Sequence, residues 1–216
     1  MTLINKNLHN ISIPISLGEL EVKTFPIPLA LNEIKKDITI ITNQPSKEDI
    51  IKQAFKFHSQ GDISKAAKYY QYCIDQGFND HRVFTNFGSI LQGLGKLKEA
   101  ELYLRQAIEI KPNFVEAHIN LGNIFRDLGK LEEAALSIRK AIQINPDFAM
   151  AHSNLGNILS DLDKLEEAEL SLRKAIQINP NFADAHSNLG SILSDLGKLE
   201  EAELSLRKAI DLNPDL

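Results

Sequence analysis

Between residues 47 and 216 the apolar positions fall at helical spacing. In 183–216, Ala185, Leu189, Ile192, Leu193 and Leu196 stand at i, i+4, i+7, i+8 and i+11, which is one helix face. Leu199, Ala202, Leu206, Ala209 and Ile210 form a second such face. Gly197 separates the two runs. Asn213-Pro214 ends the second, because the residue before a proline is pushed out of the helical region. The pattern predicts one helix over about 184–196 and another over about 198–212. Glu200, Glu201 and Glu203 open the second helix and Arg207 and Lys208 come near its end, an order that complements the helix dipole. Glu101 with Arg105, Glu169 with Arg173 and Glu203 with Arg207 are i,i+4 ion pairs.

The same pattern returns every 34 residues. Pro112, Pro146, Pro180 and Pro214 keep that spacing, as do Gly88, Gly122, Gly156 and Gly190. So do Ala100, Ala134, Ala168 and Ala202, and Ala107, Ala141, Ala175 and Ala209. Four units follow: 81–114, 115–148, 149–182 and 183–216. The last two differ at only 7 of 34 positions, as expected of recent duplication. A degenerate unit at 47–80 precedes them, its register set by Gly61, Ala66, Tyr70 and Cys73. It has Phe78 in place of the closing proline and Ala54 in place of the first-helix glycine, as an end cap would. Small residues mark where helices approach closely: Gly190 and Ala202 are expected to touch within one unit, so a leucine at Gly190 would overpack the contact. Asp163 replaces the turn glycine once and is expected to weaken its unit slightly.

This pattern resembles the tetratricopeptide repeat family, a 34-residue helix–turn–helix unit with Leu-Gly in the first helix, Ala in the second and Pro before the next unit. Asn188-Leu189-Gly190, Ala202, Ala209 and Pro214 carry the likeness, which covers about 47–216. The large aromatic often found early in the first helix is Phe84 once and then His118, His152 and His186. The resemblance implies an all-α, right-handed superhelical solenoid. The run Gln177-Ile178-Asn179-Pro180-Asn181-Phe182-Ala183-Asp184-Ala185-His186-Ser187-Asn188-Leu189 is also similar to the repeat array of the O-linked N-acetylglucosamine transferases and to arrays in cyanobacterial and other bacterial proteins. In those enzymes a ladder of asparagines on the concave face holds the backbone of polypeptide substrates. The matching positions here are Asn86, Asn120, Asn154 and Asn188. No part of the sequence resembles the transferase domain, so the likeness implies peptide binding rather than catalysis.

Residues 1–46 differ in kind. They are rich in Ile, Leu, Pro, Asn and Thr and carry four acidic and four basic side chains. Ile11–Leu17 alternates like a strand, but Pro14 demotes it to an edge. Leu29–Ile38 is compatible with a short helix. A loosely ordered lead-in is expected, with addition of Ile11–Leu17 to a partner, or its return into the groove, as the functional alternative.

Charge narrows the partners. With 24 basic and 29 acidic residues the net charge is −5, which argues against general nucleic-acid or anionic-membrane binding. By unit the charge runs from 0 in 47–80 through +2, −1 and −2 to −4 in 183–216. Cys73 is the one cysteine, so no disulfide closes within the chain, and its register makes it a packing residue. No uncharged run reaches the ~18 apolar residues of a spanning helix, and the start of the chain does not read as a signal peptide. The expected location is cytoplasmic.

Candidate catalytic groups dissolve into the repeat. His118, His152 and His186 belong to successive units whose helices pack about 8–10 Å apart, too far to share an ion at about 2 Å from each ligand. Gly88-Ser89-Ile90-Leu91-Gln92-Gly93-Leu94-Gly95-Lys96 lacks the glycine and hydroxyl residue of a phosphate loop. Glu132/Glu133, Glu166/Glu167 and Glu200/Glu201 are adjacent in sequence and point about 100° apart. No enzyme activity, cofactor or metal is expected.

What remains is the face of the first helices that would line a concave side: Arg82, Thr85, Asn86, Ser89; Glu116, Ile119, Asn120, Asn123; Met150, Ser153, Asn154, Asn157; Asp184, Ser187, Asn188, Ser191. Amides and hydroxyls can both donate to and accept from a peptide backbone. The expected groove residues are Asn86, Ser89, Asn120, Asn123, Asn154, Asn157, Asn188 and Ser191. The basic cluster that would clamp a C-terminal carboxylate is missing. The reading is a non-catalytic scaffold holding an extended polypeptide, with substrate targeting for a glycosyltransferase or sulfotransferase as the alternative. Self-association through an uncapped last repeat is a further expectation, since Leu199, Leu206 and Ile210 would lie partly open.

Overall fold

The computed structural model describes residues 46–214. The expectations for residues 1–45, including the strand-like run and the short helix, lie outside the described residues. Among the described residues there are ten helices and no strand. They are α1 (Lys47–Ser59), α2 (Ile63–Asp75), α3 (His81–Gly93), α4 (Leu97–Ile110), α5 (Val115–Asp127), α6 (Leu131–Ile144), α7 (Ala149–Asp161), α8 (Leu165–Ile178), α9 (Ala183–Asp195) and α10 (Leu199–Leu212). The last two begin and end within one residue of the spans predicted from the periodicity.

Each pair of helices is joined by the same turn. After α3, the Gly95 N–H donates to the Gln92 carbonyl at 2.8 Å and the Lys96 N–H to the Leu91 carbonyl at 2.9 Å. This pairing closes the helix end only when the residue between adopts a left-handed conformation. Gly95, Gly129 and Gly197 do so at φ +73, +73 and +75. Asp163 occupies the same place at φ +58, with Lys164 still bonded to Leu159 at 2.9 Å. The chain thus holds this turn even where the residue carries a side chain. The array opens on a capping box: the Ser46 hydroxyl accepts the Asp49 N–H, and Asp49 in return accepts the Ser46 N–H.

The paired helices close on a glycine. A Cβ built at Gly122 would stand 2.6 Å from Ile138 Cδ1 and 3.3 Å from the Ala134 carbonyl oxygen. Gly156 faces Leu172 and Gly190 faces Leu206 in the same way, each at 2.6 Å from Cγ. The predicted contact of Gly190 with the Ala202 turn is therefore present, with Leu206 as its main side chain. Leu104, Ile138 and Leu172 are fully buried, which stabilises each unit by about 1.5–3 kcal/mol. Ala100, Ala134 and Ala168, beside those glycines, and Ala107, Ala141 and Ala175, further along the second helices, are also fully buried, so helices approach across small side chains.

Second helices pack on both flanking first helices. Successive first helices also touch, α3 with α5, α5 with α7 and α7 with α9, while no two second helices are in comparable contact. The array therefore curves, with first helices on its inner side.

Charged side chains tie units together outside the core. Glu169 on α8 accepts from Lys198 at 2.7 Å and from Arg173 at 2.9 Å, and Arg173 reaches Glu201 at 2.6 Å. The Lys198 ammonium, followed by Arg173, holds the Glu169 carboxyl below the usual carboxylate value. A depressed carboxylate adds stability above its unfolded pKa, and that stability is lost as pH falls below about 4–5. Glu169→Gln should cost about 1 kcal/mol at pH 7, its partners being half-exposed. Thermal melts should show the difference between the two proteins shrinking as pH falls below the ordinary carboxylate range of about 4–5.

The glycine contact predicts a position-dependent cost. Gly122→Ala should lose roughly 1–3 kcal/mol in urea unfolding, because Ile138 has no space to yield. At Gly190 the cost should be smaller, since Leu206 is 38% exposed and can give way. Gly93→Ala, which meets nothing within 4 Å, should gain about 0.5 kcal/mol.

Candidate functional site

The inner face presents one polar row per first helix. Asn86, Asn120, Asn123, Asn154, Asn157 and Asn188 are half-buried there, and Ser89 and Ser191 are exposed. Three neighbours expected among them are not available. Thr85, Ile119 and Ser153 are only 3%, 4% and 3% exposed. They stand one residue before the asparagine, and the 100° step per residue turns them into the contact with the adjacent unit.

The asparagines are not equivalent. Asn86 Nδ2 donates to the Tyr70 hydroxyl at 3.2 Å, and Asn154 Nδ2 donates to Asn123 Oδ1 at 3.2 Å. The Ser191 hydroxyl makes a 3.4 Å bond to the Ser187 carbonyl of its own helix. Asn120, Asn157 and Asn188 have no side-chain hydrogen bond among the described residues. A half-buried amide with unused donors and acceptors is poised for an outside partner.

Charges near the groove are mostly matched. Arg82 is held by Asp80 at 2.6 Å and by Glu48, one unit away, at 3.2 Å. Along the C-terminal ends of the first helices Gln92 bonds Asp127 at 2.7 Å and Arg126 bonds Asp161. These pairs are 35 residues apart, one unit plus one position, and the sequence reading missed them. That offset was the signal that could have found them.

At the N-terminal end of the groove the character changes. Phe55, His58, Ser59, Tyr70 and Asn86 line a cleft of about 240 Å³. The Phe55 and Tyr70 rings lie 5.9 Å apart and tilted by 52°, and His58 stands edge-on to Tyr70 at 5.8 Å. His58 Nδ1 is 3.2 Å from the same Tyr70 oxygen that accepts from Asn86. Burial lowers the His58 pKa and raises that of Tyr70 to about 12.

The repeated histidines have a structural task. Nε2 of His118, His152 and His186 lies 2.8, 2.8 and 3.0 Å from the carbonyl oxygen of Pro112, Pro146 and Pro180. Each ring ties a first helix to the proline that closes the unit before it, so Nε2 carries the proton. Among the described residues no three His, Cys, Asp or Glu side chains come together as metal ligands. Cys73 is fully buried, and burial pushes its thiol up to about 12, far from a reactive thiolate.

On the outer face, Leu102, Leu136, Leu170 and Leu204 recur every 34 residues and are 55%, 65%, 69% and 69% exposed. The sequence reading passed over them, although an apolar residue repeating on the polar side of the second helix was visible.

Profiles described as TPR repeat match residues 122–163 and 156–197, and profiles described as tetratricopeptide repeat match 81–114, 103–135 and 183–216. No curated protein matches the chain. Solved structures match its fold. MamA from Desulfovibrio magneticus RS-1 is 18% identical at TM-score 0.69, over 80% of this chain and 98% of that one. TTC0263, a thermophilic TPR protein in Thermus thermophilus, is 19% identical at TM-score 0.65, over 78% and 92%. YrrB, described as a TPR protein with an unusual peptide-binding site, is 21% identical at TM-score 0.63, over 87% and 94%.

Two rungs of the ladder should separate in stability. Asn86→Ala leaves the Tyr70 hydroxyl without its donor and should cost about 1 kcal/mol. Asn188→Ala removes no internal bond and should change stability by less than about 0.5 kcal/mol in urea unfolding.

Proposed function

The chain belongs to the tetratricopeptide repeat family, and on that basis we propose that it is a non-catalytic scaffold whose inner face holds an extended polypeptide. The observation that carries this reading is the set of half-buried, unpartnered amides at Asn120, Asn157 and Asn188. Neighbouring helices lie about 8–10 Å apart, which matches about three residues of extended chain at ~3.3 Å each. Each unit therefore meets one stretch of backbone with one or two amides that donate and accept at once. Because the middle of the groove is nearly uncharged, the backbone rather than a charged side chain is what the amides recognise. No helix among the described residues is long and apolar enough to cross a membrane, and nothing in the groove favours nucleic acid, whose phosphates call for unpaired cations.

A polypeptide partner should weaken when the ladder is removed. In the Asn120/Asn154/Asn188→Ala variant, shown folded by circular dichroism, affinity should fall by about tenfold or more as two or three bonds of about 1 kcal/mol disappear. Capture from source lysate with wild type and variant, read by mass spectrometry, checks this. Equal retention of every partner would remove the groove from the function. Captured substrates of a glycosyltransferase or sulfotransferase would identify the scaffold as a targeting device for that enzyme.

A further inference from the structure

A ladder of equivalent amides has a built-in ambiguity. An extended chain held by its backbone can slide by one unit, about three residues, and meet nearly the same partners again. The inner face departs from the repeat in the first unit. Where the second to fifth units carry Ser89, Asn123, Asn157 and Ser191, the first carries Phe55. Where the others turn Leu104, Ile138, Leu172 or Leu206 inward against glycine, the first has Tyr70 and Ala54. His58 completes the wall at the position of Gln92.

We propose that the cleft of Phe55, His58, Ser59, Tyr70 and Asn86 receives one aromatic side chain of the bound polypeptide and so fixes its register in the groove. The inference rests on the groove reading and specifies its ligand. Its first support is size and shape: about 240 Å³ walled by the half-buried rings of Phe55 and His58, with Tyr70 fully buried behind them, suits one further ring, since aromatic pairs favour offset and edge-to-face contacts at about 4.5–7 Å. A second support is the polar wiring. The Tyr70 hydroxyl is shared by the Asn86 amide and the His58 imidazole, so that oxygen is already engaged within the wall. Absence of charge is a third. None of the five lining side chains is ionised at neutral pH, His58 being held neutral by burial, and the Arg82 guanidinium, 5.3 Å from the Phe55 ring centroid, is shared by Asp80 and Glu48. An anionic side chain would find no free cation in the wall. The cleft is also continuous with the groove, because Asn86 belongs to both.

Selection of random segments of about 16 residues displayed on phage, with the full chain as bait, tests the inference; that length spans about five units at three residues each. Phe55→Ser is the companion bait, since serine occupies this position in the second and fifth units and the fold accepts it there. Wild type should enrich Phe, Tyr or Trp at a single position, and Phe55→Ser should not. A synthetic copy of a selected segment should bind Phe55→Ser about tenfold more weakly than wild type, and replacing its aromatic by Ala should cost about the same on wild type and little on Phe55→Ser. Segments that depend on Asn120, Asn154 and Asn188 but show no aromatic position would overturn the inference and leave the groove reading standing. Aromatic enrichment equal on both baits would also overturn it. Segments indifferent to the asparagines would overturn the groove reading and this inference with it.

Discussion

The four regular units of this array depend on one contact: the inward leucine or isoleucine of the second helix laid against a glycine of the first. With no Cβ at Gly122, Ile138 sits where even a methyl group would collide, and the two helix axes close to the distance that a 34-residue unit requires. That approach buries Ile138, Leu104 and Leu172 completely. It also brings the alanines that follow to the surface between units, where they let the next first helix dock. Loss of the glycine would push the helices apart and misplace every unit stacked beyond it, because each unit touches only its neighbours.

Curvature follows from the same packing. First helices touch both their own second helix and one another, and second helices meet one another far less. The inner side is thus narrow and continuous, and residues at one register position form a line rather than scattered points. A polar residue on that line is duplicated with the repeat. Chemistry on the inner face is for this reason collective: weak amide contacts, each of little consequence, act together on an extended ligand. Departures from the repeat then gain meaning, as at Phe55 and Tyr70, since they alone distinguish one position in the groove from another.

The outer side obeys a different constraint. Its ion pairs bridge units through Glu169, Lys198, Arg173 and Glu201, and one of these carboxylates is nearly buried. Such bridges add modestly to stability, since their cations remain half-exposed. They do align successive second helices, whose direct contacts are slight.

Repeat length, helix periodicity, the turn glycines and the glycine–alanine contact were all legible in the sequence, because each expresses a local requirement that one residue type meets and others do not. A left-handed turn, a close approach and a helix stop leave marks at fixed positions, and repetition made those marks unmistakable. The line of asparagines was legible for the same reason. Which asparagines are free was not. Asn86 is engaged by Tyr70, Asn154 by Asn123, and Thr85, Ile119 and Ser153 are withdrawn into the contact between units. Those outcomes depend on how far one unit rotates against the next, a quantity set by side chains about one repeat away in the chain. Periodicity specifies a helix face to about one residue's 100° step, and the difference between facing a ligand and facing a neighbour is a single step. The order of residues was enough to specify the repeating unit; the packing of unit on unit chose which of its polar groups remain open to a partner.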